Sequence, residues 1–304
     1  MALWEKYHLP ESVEAALIEL SRYEGNARVI AGGTDLLLEL QQGRKPPVAA
    51  LVDITRIPEL REIRQHSDLI TVGAAVTHTE IVASTLLAQR ATCLVESCGV
   101  IGGPQVRNVA TLGGNVAHAL PAGDGTISLV ALAAEVEVAT AAGRKWHPIR
   151  SLFQGPGRSA VDQGRELITR FRFRATGSHA GTAFKRIMRP QGVALPIMGM
   201  AVWVEFDNDY ETVADVRIAV GPAGPTPMRA TEAEAYLRGK RVHDEVLQEV
   251  SRHTIAQARL RTSKHRATRS YRVELIDVLV RRNFEAICRR IGQTEVVPEG
   301  VGWA

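Results

Sequence analysis

Two double glycines constrain this 304-residue chain more than anything else in it: Gly32-Gly33 and Gly113-Gly114. The first follows an apolar run, Ala27 to Ala31, and precedes Thr34-Asp35 and a helix-like stretch, Leu36 to Gln42. Adjacent glycines admit positive φ and close backbone approach. Successive N–H groups in such a turn form a nest for an anion, and a helix start adds a favourable dipole. Taken alone, the segment reads equally well as a diphosphate cradle or as a tight βα turn with Thr34 or Asp35 capping the helix. The second pair stands in Thr111-Leu112-Gly113-Gly114-Asn115, after Gly102-Gly103 and before Pro121-Ala122-Gly123-Asp124. Two glycine nests in different lobes suit a long ligand with a central diphosphate. A mononucleotide would hardly need both; the other reading is two unrelated glycine turns.

The length suggests two domains, or three small ones. Residues 1–57 read as a small α/β lobe. A helix begins near Pro10 with Val13, Ala16, Leu17 and Leu20 at helical spacing, and strands follow at Ala27 to Ala31 and Leu51 to Ile54. In a second lobe, 58–176, Leu69 to Ala74, Glu135 to Thr140 and Leu167 to Phe173 read as strands. Thr77-His78-Thr79-Glu80 is a capping box. A helix is expected from Leu86 to Cys98, and Gly99 to Asp124, dense in glycine and without periodicity, reads as a structured loop. Residues 1–176 together make one domain, and Ala175 to Ser178 is the boundary.

The third lobe, 177–292, places strands Thr182 to Ile187, Met200 to Phe206 and Val213 to Val220 first, the last two as a hairpin around Asn208-Asp209. Helices Thr231 to Leu237, Asp244 to Leu260 and Tyr271 to Ile291 follow. Strands then helices is an α+β order. Residues 293–304 are expected to be a loosely held tail.

Charge and cysteine exclude several classes. The net charge is +4, and the densest basic stretch, Arg259 to Arg272, reads as a solvated, partly subunit-facing helical region rather than a nucleic-acid module. No nucleic-acid partner is expected. Cys93, Cys98 and Cys288 fit neither a disulfide framework nor a zinc spacing, so no metal site is assigned. No apolar run approaches the roughly 18 residues of a membrane span. The start of the chain carries Glu and His where a signal peptide needs a basic patch and an apolar run, so a cytoplasmic location is expected. There is no Walker loop, HExxH, GxSxG or GxGxxG.

The segments AGGTDLL (31–37), GGPQVRNVATLGGN (102–115) and PAGD (121–124) resemble the flavin subunit of the molybdenum hydroxylases, the relatives of the carbon monoxide dehydrogenase medium subunit and the xanthine dehydrogenase flavin domain. The similarity continues through ELI at 166–168, AFKR at 183–186, the run from Arg217 to Glu234, and YRVELIDVLVRR at 271–282. It covers nearly the whole chain.

This resemblance implies an α+β fold: a two-lobed FAD-binding domain of the PCMH/vanillyl-alcohol-oxidase-like kind, plus a C-terminal α+β domain. It implies FAD on this chain, and molybdopterin and [2Fe–2S] clusters on partners, a large molybdopterin subunit and a small iron–sulfur subunit, in a dimer of heterotrimers. Electrons would pass from the clusters through FAD to NAD or a quinone-like acceptor. By position, Ala31, Gly32, Gly33, Thr34, Asp35 and Leu36 inherit the diphosphate clasp, and Ala110, Thr111, Gly114 and Asn115 the second clasp. Asp124 matches a carboxylate near the ribose end; it would bond sugar hydroxyls, since it repels phosphate. Ile101 matches an apolar side chain against the flavin ring, Leu167 an apolar cofactor contact, and Lys185 a lysine at the flavin's carbonyl edge. Arg107 and Asn108 shape the loop, and His118 replaces a variable residue. The stretch RPQGVALP (189–196) departs from the family's small-residue run ending in alanines. No catalytic acid, base or nucleophile is assigned. The alternative is a stand-alone FAD-dependent oxidoreductase of related fold.

Overall fold

Five times the backbone passes between two separately packed units, at 80/81, 103/104, 119/120, 133/134 and 174/175. The structure is a computed structural model that describes residues 2–189, 195–264, 266–293 and 295–300. In chain order the elements are β1 (Trp4–His8), α1 (Val13–Ser21), β2 (Ala27–Ile30), α2 (Leu36–Gln41), β3 (Val48–Asp53), β4 (Ile63–His66), β5 (Leu69–Gly73), α3 (His78–Val82), α4 (Thr85–Arg90), α5 (Thr92–Gly99), α6 (Pro104–Arg107), α7 (Leu112–Ala117) and α8 (Asp124–Ala131). There follow β6 (Glu135–Thr140), β7 (Gly143–Pro148), β8 (Phe153–Gly155), β9 (Arg158–Ser159), β10 (Leu167–Arg174), β11 (Ala180–Met188), β12 (Pro196–Phe206), β13 (Val213–Gly221), β14 (Met228–Arg229), α9 (Thr231–Leu237), α10 (Asp244–Gln257) and α11 (Arg269–Arg290).

The first unit holds residues up to Glu80, Pro104–Ala119 and Ala134–Arg174. Its parallel sheet has the order β1-β3-β2, and a five-stranded antiparallel sheet runs β4-β5-β10-β6-β7. Helix α1 starts where Ser12 Oγ accepts the Ala15 amide, and it buries Val13, Ala16 and Leu20. Those side chains join Ala27, Ala50, Val52, Ala139 and Leu167 in one apolar cluster.

The second unit holds Ile81–Gly103, Leu120–Ala133 and the chain from Ala175 on. Its antiparallel sheet, β11-β12-β13-β14, is covered on both faces. An added Cβ at Gly181 would meet Ile287 of α11, whereas Thr182 accepts the Cys93 amide of α5. Neighbouring residues of β11 therefore face opposite helix layers, as strand alternation requires. Burial on both faces is why β12 reads as a nearly unbroken apolar run. Helix α11 is capped by Thr268, whose hydroxyl accepts the Tyr271 amide, and Leu275, Ile276, Leu279, Phe284 and Ile287 recur on its buried face.

Several elements differ from the sequence reading. Gly99 to Asp124 is not loop throughout: it contains the short helices α6 and α7, and Asp124 opens α8. The expected helix over 86–98 is two, α4 and α5, broken at Ala91, whose φ/ψ of −157/48 is not helical. Strands β1, β4 and β7 are additional. The hairpin between β12 and β13 and the capping box are present; Thr77 N–H and Oγ both donate to Glu80, at 2.8 Å each, and Thr77 Oγ accepts the Glu80 amide. Most of the 189–196 segment lies outside the described residues, as does much of the expected tail.

Candidate functional site

In the first unit, the two glycine segments are pressed together. Gly32 follows β2, and a Cβ placed on it would lie 2.0 Å from the Val109 carbonyl oxygen and 2.8 Å from the Ala110 nitrogen. No side chain fits there. Gly33 has φ +66°, which turns the chain so that its carbonyl accepts the Leu37 amide at 2.9 Å. Asp35 occupies the N-cap position of α2, but its carboxylate makes no capping hydrogen bond and its side chain is 57% exposed. Of the two residues offered as a cap in the βα-turn reading, Asp35 holds the position, without a side-chain hydrogen bond. His118 Nε2 stands 3.8 Å from Asp35 Oδ1, which brings the end of α7 beside the first segment.

The second segment is anchored on its other side. The His78 amide donates to Ala110 O, the Leu112 amide to Val76 O and the Gly113 amide to Ala74 O. A Cβ on Gly113 would lie 2.6 Å from that same Ala74 oxygen. Thr111 caps α7, its Oγ accepting the Gly114 amide at 3.1 Å. Thr79 Oγ donates to the Asn108 side chain at 2.7 Å, in keeping with a loop-shaping Asn108. Ala31 packs on the same apolar cluster that contains Leu167, and Leu167 is fully buried there.

His78 was not singled out in the sequence beyond its place in the capping box. Its ring is buried and its Nδ1 has no hydrogen-bond partner. Burial, with a smaller contribution from the Arg107 charge, pushes its pKa down to about 4, so the ring is neutral.

The second unit carries Ile101, Asp124 and Lys185. Asp124, at the first position of α8, is buried and ion-paired with Arg186 Nη1 at 2.7 Å. Its other oxygen, Oδ1, has no hydrogen-bond partner. Burial pushes this carboxyl up to about 7, against the pull of Arg186. Lys185, next along β11, turns to the other side and pairs with Glu299 at 2.9 Å; Glu96 lies 3.8 Å away. Ile101 follows α5, its amide donating to Cys98 O. Arg186 and Glu96 are additions to the sequence reading. Arg186 was legible as the second cation of AFKR, and Glu96 as the lone acid in an otherwise uncharged helix, TCLVESCG.

The sequence model described as the FAD binding domain in molybdopterin dehydrogenase matches residues 3–173, more than half of the chain. This chain belongs to the FAD-binding medium subunits of the molybdenum hydroxylases. A second model, the CO dehydrogenase flavoprotein C-terminal domain, matches residues 182–287 of this flavin subunit. The xanthine dehydrogenase FAD-binding subunit of Escherichia coli O157:H7 is 29% identical over 279 residues, covering 91% of this chain and 93% of that one. The carbon monoxide dehydrogenase medium chain of Hydrogenophaga pseudoflava is 30% identical over 251 residues, 83% and 86% of the two chains. A solved structure of that carbon monoxide dehydrogenase, lacking the Mo-pyranopterin moiety, superposes with a TM-score of 0.88 at 30% identity over 94% of this chain and 98% of that chain. The flavin subunit is thus an oxidoreductase component of α+β fold. Among its described residues no helix is long and apolar enough to cross a membrane, and no cluster of side chains has the makings of a metal site.

Proposed function

We propose that this chain is the electron-exit subunit of a three-component molybdenum hydroxylase. In this reading a large molybdopterin subunit oxidises the substrate, and a small subunit delivers electrons from two [2Fe–2S] clusters. The flavin subunit hands them to NAD or a quinone-like acceptor, in a cytoplasmic dimer of heterotrimers. Bound FAD would supply the redox chemistry.

One observation carries the reading: Gly32 lies against the backbone of Val109 and Ala110, so two segments remote in sequence meet backbone to backbone in one surface. Such a surface lets backbone N–H groups approach a diphosphate, which is what Ala31 to Leu36 with Ala110, Thr111, Gly114 and Asn115 would do. Asp124 also fits the cofactor. A buried carboxylate oxygen without a partner is costly unless a donor reaches it, and a sugar hydroxyl is such a donor. Ile101 would bound the ring and Lys185 would favour its anionic reduced form, while Leu167 would hold the apolar floor on which Ala31 rests. The domain division at 176/177 belongs to the same reading.

The test is purification from the native host followed by metal analysis and FAD titration. The expected result is one FAD per chain, with molybdenum and iron in the co-purifying complex. A chain that stays colourless after FAD addition would sink the cofactor assignment. Turnover of an organic substrate by this chain alone would sink the subunit assignment and favour a stand-alone oxidoreductase.

A further inference from the structure

Lys185 is held by a segment that the cofactor reading leaves unused. After α11 the described residues 295–300 come back beside α4, α5 and Lys185 of β11. Gln89 of α4 clasps Val296 through both of its backbone groups, at 2.9 and 3.1 Å. Three residues on, the Glu299 amide donates to Glu96 at 2.8 Å, and the Glu299 carboxylate meets Lys185 at 2.9 Å and Arg289 at 3.2 Å. Arg290, 7% exposed on its side chain, pairs with Glu96 and lies 3.5 Å from Glu299. Two carboxylates and three cations thus share one site, and Lys185 is the only one of the three cations that stands on the sheet. Burial opposes ionisation of Glu299, but Lys185, Arg290 and Arg289 together hold its carboxyl below the usual range.

Glu96 is already engaged, accepting the Phe184 amide at 2.7 Å and pairing with Arg290. Glu299 is therefore the carboxylate that answers the Lys185 charge. We propose that Glu299 is a positioning residue: it fixes the Lys185 ammonium, offsets its charge, and thereby lowers the reduction potential of the flavin. This rests on the reading of Lys185 as a flavin-edge cation. A lysine whose charge is balanced stabilises an anionic reduced ring less than one that is unbalanced.

The experiment is a spectroelectrochemical titration of the FAD-loaded full-length chain. Glu299→Gln keeps the backbone bond to Glu96 and the Gln89 clasp. It should raise the flavin potential by at least a tenfold change in the oxidised-to-reduced ratio, about 30 mV for a two-electron couple. Glu299→Lys should raise it further. Lys185→Gln should lower it, and adding Glu299→Gln in that background should produce a smaller shift than in the wild type, because only the direct field of the carboxylate is then removed. An unchanged potential in Glu299→Gln beside a shift in Lys185→Gln overturns the inference and leaves the Lys185 reading standing. So does a Glu299→Gln shift that persists undiminished without Lys185. No shift in Lys185→Gln overturns the Lys185 reading and the inference with it.

Discussion

A methyl at position 32 would lie 2.0 Å from the Val109 carbonyl oxygen, so alanine there must push two backbone segments apart. At position 33 the obstacle is different. The backbone sits at φ +66°, and the nearest atoms to an added Cβ are side-chain tips of Leu37 and Ile30 at 3.0–3.1 Å. Flexible tips yield and a peptide carbonyl does not. Gly33→Ala should therefore cost about 1–2 kcal/mol of left-handed strain, with weakened FAD binding. Gly32→Ala should cost more stability, on the order of 3 kcal/mol, and lower FAD affinity at least 100-fold. Calorimetric FAD titration and urea unfolding of both variants would check the order; equal effects would refute the backbone-contact account. His78 sets a pH limit on the same structure. With a folded pKa near 4 against 6.5 unfolded, only the unfolded chain takes up its proton between those values. Stability is intact above pH 6.5 and falls as pH drops towards 4, by on the order of 3 kcal/mol. His78→Gln should lose less stability over that window in urea titrations at pH 7, 5.5 and 4.5.

At the scale of elements, β11 is an edge strand, and its outward backbone groups are covered by side chains rather than by another strand. Glu96 takes the Phe184 amide and Arg290 donates to the Thr182 carbonyl. The two are buried and paired with each other. Removing either leaves the other buried charge with only a longer contact, Lys185 at 3.8 Å from Glu96 or Glu299 at 3.5 Å from Arg290, at up to about 3–5 kcal/mol. Arg290→Met should therefore destabilise strongly, and Glu96→Gln added to it should restore part of the loss in thermal unfolding; simple additivity would show the pair is uncoupled. Which elements were legible in the sequence follows the same physics. Strands β10 and β12 and helix α11 announce themselves because one face, or both, meets an apolar core. Helix α8 does not: all eight of its residues are buried, so it has no polar stripe to mark its period. Helix α7 is six residues long with two glycines, and is held by the Thr111 cap and by contacts to Ala74 and Val76 rather than by propensity. The glycine pairs were visible as points of close approach for the same reason that their partners were not. A glycine needed for close approach is a local signal, but the carbonyl it approaches, at Val109, leaves no mark on its own residue.

At the scale of the whole chain, the interleaving of the two units has a mechanical consequence. Helices α5 and α8 arrive before residue 134, yet they pack on β11, β12 and β13, which follow residue 175. The boundary between the two regions matched by the family models falls between these partners in sequence. A piece ending at Thr176 would strand Cys93, Leu94, Val95, Cys98, Ile127, Leu129 and Val130, all at most 1% exposed in the intact chain. At about 1.5–3 kcal/mol for each large apolar side chain, their exposure would be comparable to the roughly 5–15 kcal/mol that holds a domain folded. The piece 1–176 should then be insoluble, or bind no FAD, although it contains both glycine segments. Co-expression with 177–304 should restore a soluble, FAD-binding pair, because every contact of the second unit is then available again. Size-exclusion chromatography and FAD titration of the single and paired pieces would decide. A soluble 1–176 monomer that unfolds cooperatively and binds FAD would mean that α5 and α8 do not depend on the sheet, and that the glycine surface of the first unit is sufficient by itself.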